Sequence, residues 1–280
     1  MGPKTIVPNH LEAGCTMIRI EALVKYFHRG GINEVPAIEG VDLSVAKGDF
    51  ITVIGSNGAG KSTLLNCLAG TVSIDEGRLW IDDTDVTKWP EHRRAALMGR
   101  VFQDPLSGTC ATLSVEQNMA LSKKRGAVRG LGLGVKRADR DYFKERLKIL
   151  DLGLENRLNT KVGLLSGGQR QALTMLMAMM VRPKLLLLDE HTAALDPKTA
   201  QQILDLTQKI IAQQNITTIM VTHNMRQALA MGNRLIMLHQ GRIIMDIDGK
   251  EKKALTVQDL LDRFYSLKGG AFAPDRALLV

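Results

Sequence analysis

Nine consecutive residues are suited to gripping a row of phosphates: Gly55-Ser56-Asn57-Gly58-Ala59-Gly60-Lys61-Ser62-Thr63. Their spacing is G-x-x-x-x-G-K-[ST], in which glycines let the backbone wrap closely enough to aim several N–H groups at phosphate oxygens. Lys61 has the reach for the β- and γ-phosphates, and the Ser62 hydroxyl suits Mg²⁺. The apolar, β-branched run Phe50-Ile51-Thr52-Val53-Ile54 precedes the loop and Leu64-Leu65-Asn66-Cys67-Leu68 follows it. Strand, glycine turn and helix is the context such a loop needs, because the positive end of the helix adds to the field on the phosphates. The stretch implies a nucleoside triphosphate.

A second place for chemistry is Leu185-Leu186-Leu187-Leu188-Asp189-Glu190. A buried strand that empties into two acids sets carboxylates at the carboxyl edge of a sheet, where ligands bind in open α/β folds. Asp189 suits Mg²⁺ through water, and Glu190 suits the polarisation of an attacking water. His223 ends another apolar run, Thr217-Thr218-Ile219-Met220-Val221-Thr222. A lone histidine more often caps or packs, but one that closes a buried strand beyond two acids is a better candidate for a ligand contact.

The elements that must position these residues follow from periodicity. Ile18–Val24 and Ala37–Ala46 alternate like half-buried strands, Gly77–Ile81 and Arg100–Phe102 read as further strands, and Glu91–Met98 reads as a short helix. From Leu106 to about Val181 the pattern turns helical, with helices expected over Val115–Leu121, Asp139–Leu150 and Gly167–Val181; Phe143, Leu147 and Leu150 form the buried stripe of the second. Beyond Lys184 strands and helices alternate again: a strand to Asp189, a helix over Pro197–Gln213, a strand to Thr222, a helix over Asn224–Met231, a hairpin of Arg234–His239 with Arg242–Ile247, and a helix around Val257–Phe264. Strands alternating with helices predict a largely parallel, doubly covered sheet, with the helical stretch about 106–181 as an insertion into it.

Composition narrows the class. Hydrophobic residues make up 45% and charged residues 24%, as in an ordinary globular chain. No apolar run reaches the roughly 18–20 residues a membrane span needs. Cys15, Cys67 and Cys110 lack C-x-x-C or zinc spacing, so they read as reduced thiols. The net charge of +8 fits a solvated basic face or an anionic membrane surface; with aromatics at 4%, single-strand nucleic-acid binding is disfavoured. The basic, glycine-rich stretch Lys123–Arg137 is expected to be flexible surface near a membrane, and residues 1–16 a loose N-terminal extension.

Leu165-Ser166-Gly167-Gly168-Gln169, taken with the phosphate loop, the two acids and His223 in that order, resembles the ATP-binding subunit of an ABC transporter. The resemblance runs from Met17 to about Tyr265, leaving 266–280 as a C-terminal tail. It implies an α/β P-loop NTPase fold with a mostly parallel central sheet, an antiparallel β subdomain at the N-terminal side and an inserted α-helical subdomain. It also implies ATP and Mg²⁺ as ligands and ATP hydrolysis as the reaction. By residue, Gly55 through Thr63 would hold the phosphates, with Ser62, Gln103 and Asp189 on Mg²⁺. Glu190, Lys61 and His223 would be catalytic, His223 contacting the γ-phosphate. Phe27 would stack on adenine, with Tyr26 as the alternative and strand-end packing as the plain reading. Leu165, Ser166, Gly167, Gly168 and Gln169 start a helix with a serine cap. In the family they complete the site of a second copy, with Asp196 in the loop that passes signals between sites. His191 follows the base where the family commonly has proline or a small residue, and has no role assigned.

The expected assembly is a head-to-tail dimer with separate integral-membrane permease subunits and, indirectly, an extracytoplasmic substrate-binding protein. It would sit at the cytoplasmic face of a bacterial cell membrane, without nucleic acid. Gly31-Ile32-Asn33-Glu34-Val35, Val101–Pro105, Asp189–Pro197 and Val221–Met225 are similar to bacterial importers described as tryptophan/tyrosine transporters. An exporter or lipoprotein-releasing subunit is the alternative within the class. A soluble mechanical ATPase is less well matched, because no long coiled coil or second nucleotide domain is present.

Overall fold

Alternating apolar and polar side chains make the first strands, and the computed structural model describes the chain over residues 15–127 and 134–267. The expected extension 1–16 and tail 266–280 lie almost wholly outside the described residues, as does the middle of Lys123–Arg137. The chain divides into two units, the first up to Glu91 and again from Thr217, the second His92–Ile216.

In the first unit β1 (Thr16–Phe27) pairs antiparallel with β2 (Val35–Ala46), burying Ile18, Ile20, Leu23, Ile38, Leu43 and Val45. The register of β1 shifts between Ile20 and Leu23, where Ala22 takes a left-handed backbone (φ 46), a bulge that bends the strand. β3 (Phe50–Gly55) is buried at every position and leads through the glycine loop into α1 (Lys61–Ala69). β4 (Glu76–Ile81) and the short β5 (Thr84–Asp85) complete an antiparallel sheet of order β2-β1-β4-β5.

Only four residues of the helix expected over Glu91–Met98 form, as α2 (Glu91–Arg94). The chain straightens because Leu97 O accepts the Lys184 N–H (2.8 Å) and Met98 enters β6 (Met98–Val101), so sheet pairing wins over local helix propensity. Phe102 therefore falls just beyond the strand expected to hold it. In the second unit, α3 (Val115–Lys123), α4 (Arg137–Lys148) and α5 (Gly167–Met179) pack around Val115, Met119, Phe143, Leu147, Leu173 and Leu176. The stripe read in the sequence is here: Phe143 and Leu147 are 0% exposed and Leu150 6%. Full burial of such side chains contributes about 1.5–3 kcal/mol each. β7 (Leu185–Asp189) runs parallel to β6, setting Arg100 opposite Leu187, and α6 (Pro197–Gln214) follows.

The chain re-enters the first unit at β8 (Thr217–Val221), then forms α7 (Met225–Ala230) and a hairpin of β9 (Arg234–His239) and β10 (Arg242–Asp248). β3 lies parallel between β8 and β9. α8 (Gly249–Ala254), not foreseen in the sequence, carries the buried Lys252, and α9 (Val257–Leu267) packs Leu260, Leu261 and Phe264 against Ile54 and Met237. Parallel strands, an antiparallel β portion and helices are the fold class expected.

Candidate active site

Two glycines of the phosphate loop are there for want of space. A Cβ on Gly55 (φ 153) would meet Leu238 O at 2.2 Å, and one on Gly60 (φ 99) would meet Ala37 O at 2.4 Å. Gly60 is also the N-cap of α1 and brings no capping side chain to the first-turn amides. Asn57, Gly58 and Ser62 are exposed at the crest, Ser56 and Thr63 are half-buried, and Ala59 is buried, its carbonyl accepting the Gly241 N–H (3.1 Å). Lys61 is 7% exposed, and its Nζ donates to Gly55 O (2.8 Å) and Ser56 O (3.1 Å). Its ammonium thus lies across the loop rather than out in solvent.

His223 shares this end of the first unit. The Thr222 N–H donates to Val53 O (3.1 Å), so β8 and β3 release their chains at the same edge. Asn224 Oδ1 accepts the Gln227 N–H (3.0 Å), and Thr222 Oγ1 donates to Gln227 Oε1 (3.0 Å) while accepting the Asn224 N–H (3.1 Å). The turn that carries His223 is therefore held on both sides. Phe27 ends β1 with 38% of its surface exposed, Lys25 Nζ standing 5.9 Å from its ring centre. Tyr26 has Arg29 over its ring at 5.3 Å. Asp75 anchors this strand end by accepting Lys25 Nζ (2.9 Å) and the Tyr26 N–H (2.7 Å). Burial raises its pKa, but these two donors outweigh burial and hold it below the usual carboxylate range.

The acids stand in the second unit. Four leucines at 0% exposure deliver Asp189, whose Oδ2 lies 3.4 Å from Arg100 Nη2. Glu190 adopts a left-handed backbone (φ 43), which costs a non-glycine residue about 1–3 kcal/mol and is a common mark of functional turns. Its carbonyl accepts the Ala193 N–H (2.9 Å). His191 is 2% exposed, with Nε2 3.4 Å from Thr207 Oγ1. Thr207 gives its one hydrogen to Ile203 O (2.7 Å), so Nε2–H of His191 is the donor. Burial pushes this imidazole down to about 4, leaving it neutral. Asp196 caps α6, accepting the Thr199 N–H (3.0 Å), and bonds from Thr199 hold its carboxyl below the ordinary range.

Gln103 is exposed just past β6. Leu165 is buried, and Ser166 caps α5 in a capping box: Ser166 Oγ accepts the Gln169 N–H and Gln169 Oε1 accepts the Ser166 N–H, both at 3.2 Å. The Ser166 hydroxyl accepts in this cap, and its own proton remains to donate. Gly167 stands near Leu195, and a Cβ on Gly168 would meet Thr199 Cγ2 at 2.3 Å, so the start of α5 is moulded on the start of α6. Arg157 Nη1 donates to Gln169 Oε1 (3.2 Å). The loop, Lys61, His223 and Phe27 are thus gathered in one unit; Gln103, Asp189, Glu190, Asp196 and Leu165–Gln169 belong to the other. Sequence reasoning missed Arg100, whose signal was a charge inside the apolar strand Met98–Val101.

Ser62, Gln103 and Asp189 offer hydroxyl, amide and carboxylate oxygens, the donor class a hard divalent cation takes. Among the described residues no cluster of three His, Cys, Asp or Glu could hold a metal ion. Mg²⁺ takes one or two protein oxygens and leaves its other positions to phosphate and water.

Comparison with known proteins agrees with this chemistry. The family described as ABC transporter matches residues 38–193. The tyrosine transport ATP-binding protein of Clostridioides difficile (strain R20291) is 42% identical over 248 residues, covering 89% of this chain and 98% of the relative. The methionine import ATP-binding protein MetN of Rhodopseudomonas palustris (strain BisA53) is 34% identical over 266 residues, covering 93% and 68%. Among solved structures, the dimeric cassette MJ0796 bound to ADP and Pi superposes with a TM-score of 0.71 at 27% identity, over 83% of this chain and 98% of that one. The ADP form of the cassette MJ1267 gives 0.73 at 28% identity, over 89% and 98%. The chain belongs to the ABC transporter family as an ATP-binding subunit, an ATP-hydrolysing cassette.

Proposed function

We propose that this chain is the energy-coupling ATPase of a multi-subunit importer for an amino acid, aromatic amino acids being the first class to test. The observation that carries the reading is the start of α5. An exposed serine caps the helix, keeps a hydroxyl proton and leaves the helix's positive end facing outward. A helix start so prepared suits the γ-phosphate of an ATP held by a second copy of the chain, so the working unit is a head-to-tail pair. The likeness to a dimeric cassette supports this assembly. The cargo reading is supported by relatives named for tyrosine transport and methionine import.

Within the reaction, Lys61 exchanges its bonds to Gly55 O and Ser56 O for oxygens of the β- and γ-phosphates, a short move for an ammonium already over the loop. Glu190 takes the proton side of the attacking water, and His223 donates to the γ-phosphate. Ser62, Gln103 and Asp189 would hold Mg²⁺, which supplies charge neutralisation at the terminal phosphates. Phe27, the more exposed of the two aromatics, takes the adenine face. Asp196, tied to the first turn of α6 beside Gly168, relays the state of one site to the other. Residues 17–265 form the ATPase domain on this reading, with 106–181 as its helical insertion.

No helix of the described residues is long and apolar enough to cross a membrane. On this reading the permease is a separate polypeptide, fed by an extracytoplasmic binding protein, and the ATPase docks at the cytoplasmic face. The test is ATP-dependent pairing of Glu190→Gln by light scattering. A dimer should form with ATP and Mg²⁺ and disappear with Ser166→Arg; a pair that forms regardless of Ser166 would sink the composite-site reading.

A further inference from the structure

A cavity of about 560 Å³ opens in the second unit, walled by His92, Arg100, Phe102, Cys110, Leu121 and Arg125 among others. Two of its walls are guanidinium groups, and among the described residues no Asp or Glu lines it. Arg125 donates from Nη2 to the neutral Ala178 O (2.8 Å), while its Nε is buried with no hydrogen-bond partner among the described residues. Among the described residues this partly buried cation has no counter-ion, which is costly, and a carboxylate is the group that offsets it. The cavity's chemistry thus asks for an anion flanked by apolar surface, since Phe102 and Leu121 stand beside the arginines.

Arg100 connects this cavity to the acid pair. Strand pairing sets it opposite Leu187, two residues before Asp189. Its guanidinium lies 4.6 Å from the Phe102 ring centre, and its Nη2 lies 3.4 Å from Asp189 Oδ2. Charge-assisted N–H···O⁻ bonds run at about 2.7–2.9 Å, so this hold is a loose one. Both side chains are little exposed, 13% and 15%, so solvent screens the pair only in part. A divalent cation approaching Asp189 meets a guanidinium already there, and the two compete for one carboxylate.

We infer that Arg100 is a positioning residue that couples docking to metal binding. Its guanidinium is shared between Asp189 and a carboxylate that a cytoplasmic segment of the permease presents to the cavity, with Arg125 as the fixed seat of that carboxylate. This rests on the permease-coupled function proposed above. With the cavity filled, Arg100 turns toward the incoming carboxylate and Asp189 is released to Mg²⁺. With the cavity empty, Asp189 is partly neutralised and holds the ion less well. Docking thereby strengthens the site's hold on the metal ion.

The readout is the affinity for ATP with Mn²⁺ divided by the affinity in EDTA, measured by equilibrium dialysis of labelled ATP on the full chain carrying Glu190→Gln. This ratio isolates what the metal contributes and needs no turnover. Arg100→Met keeps the stem over Phe102 and removes the charge. It should raise the ratio about three- to tenfold, the scale of one partly buried charge pair, with binding in EDTA unchanged. In a Cys15→Ser background, alkylating Cys110, which is exposed and lines the cavity, places a carboxylate there with iodoacetate and a neutral amide with iodoacetamide. The carboxymethyl adduct should raise the ratio about threefold, the amide adduct should not, and neither should act on Arg100→Met or Arg125→Met. The adduct pair needs no change at Arg100, so a poorly folding Arg100→Met leaves the test intact. An unchanged ratio in well-folded Arg100→Met, or equal effects of the two adducts, would overturn the inference. If ATP does not bind at all, the proposed function fails; if ATP binds with a metal advantage that no change moves, this inference alone fails.

Discussion

The phosphate loop of the first unit is held by backbone, whereas Asp189 and His191 of the second are held by side chains. Gly55 and Gly60 come within 2.2–2.4 Å, counted from an added Cβ, of carbonyls on β9 and β2, so a side chain at either position would collide with those strands. Asp189 and His191 meet instead partners distant in sequence: Arg100, and Thr207 on α6. A backbone-built site tolerates or fails, while a side-chain-built site can be tuned one group at a time. On the function proposed above, the difference suits a grip on a phosphate chain that is the same in every cycle, set against acids whose action depends on their neighbours.

The largest expected effect lies on the side-chain half. Glu190→Gln should lower ATP turnover by about 10²–10⁴-fold while nucleotide binding persists, as removal of a general base does. Turnover assays beside ATP-binding titrations check this, and joint loss of both would mean that Glu190 shapes the fold rather than the chemistry. Next is His191, whose neutral burial makes stability depend on pH. The folded imidazole titrates at about 4 against 6.5 when unfolded, so its contribution is full above pH 6.5 and is lost as pH falls toward 4. Over that window the loss is about 3 kcal/mol. Urea unfolding across pH 7 to 4.5 should show this slope, and His191→Asn should flatten it. A slope that survives the substitution would assign the effect to other groups.

What could be read in advance follows the same division. The loop was legible because its constraint is local, with glycines, lysine and hydroxyl at fixed spacing between an apolar run and a helix. The four leucines before Asp189 and the stripe of Phe143, Leu147 and Leu150 were legible for the same reason. The Ser166 cap was legible too, though its return bond from Gln169 became evident only in three dimensions. Arg100 was not, because its partner lies 89 residues away and only strand pairing joins them. Lys252 was hidden in a run of charges that looks like solvated surface. The residue is 3% exposed, and its ammonium donates to Met231 O at the end of α7, to Thr52 Oγ1 (3.2 Å) and to Gly232 O (3.3 Å). The over-long helix at Glu91–Met98 has the same origin, since propensity there yields to pairing with β7.

The backbone half offers a sharper contrast than any substitution among the acids. Gly55→Ala must displace Leu238 O or the loop, at an overpacking cost of about 1–3 kcal/mol, and should weaken ATP binding about ten- to a hundredfold. Gly58 also has a left-handed backbone (φ 75), but a Cβ there meets nothing within 4 Å. Gly58→Ala should therefore cost about 1 kcal/mol of local strain and less affinity than Gly55→Ala. Calorimetric titration of both variants decides the matter, and equal losses would show that backbone conformation, not the close approach to β9, governs the loop.

The smallest effect separates two duties of one hydroxyl. Ser166 caps α5 by accepting the Gln169 N–H, and by the reading above it gives its proton to a partner's phosphate. Ser166→Ala removes both and should cost about 1 kcal/mol of stability. Ser166→Asp keeps the cap, because a carboxylate accepts the same N–H and favours the helix's positive end, but it sets a negative charge where the phosphate would come. Stability in Ser166→Asp should stay within about 0.5 kcal/mol of the parent chain while ATP-dependent pairing is lost. Thermal unfolding and light scattering on the two variants, each with Glu190→Gln, make the comparison. Pairing that follows stability across the two variants would reduce Ser166 to a cap; pairing that fails in Ser166→Asp, where stability holds, would make the start of α5 a phosphate contact.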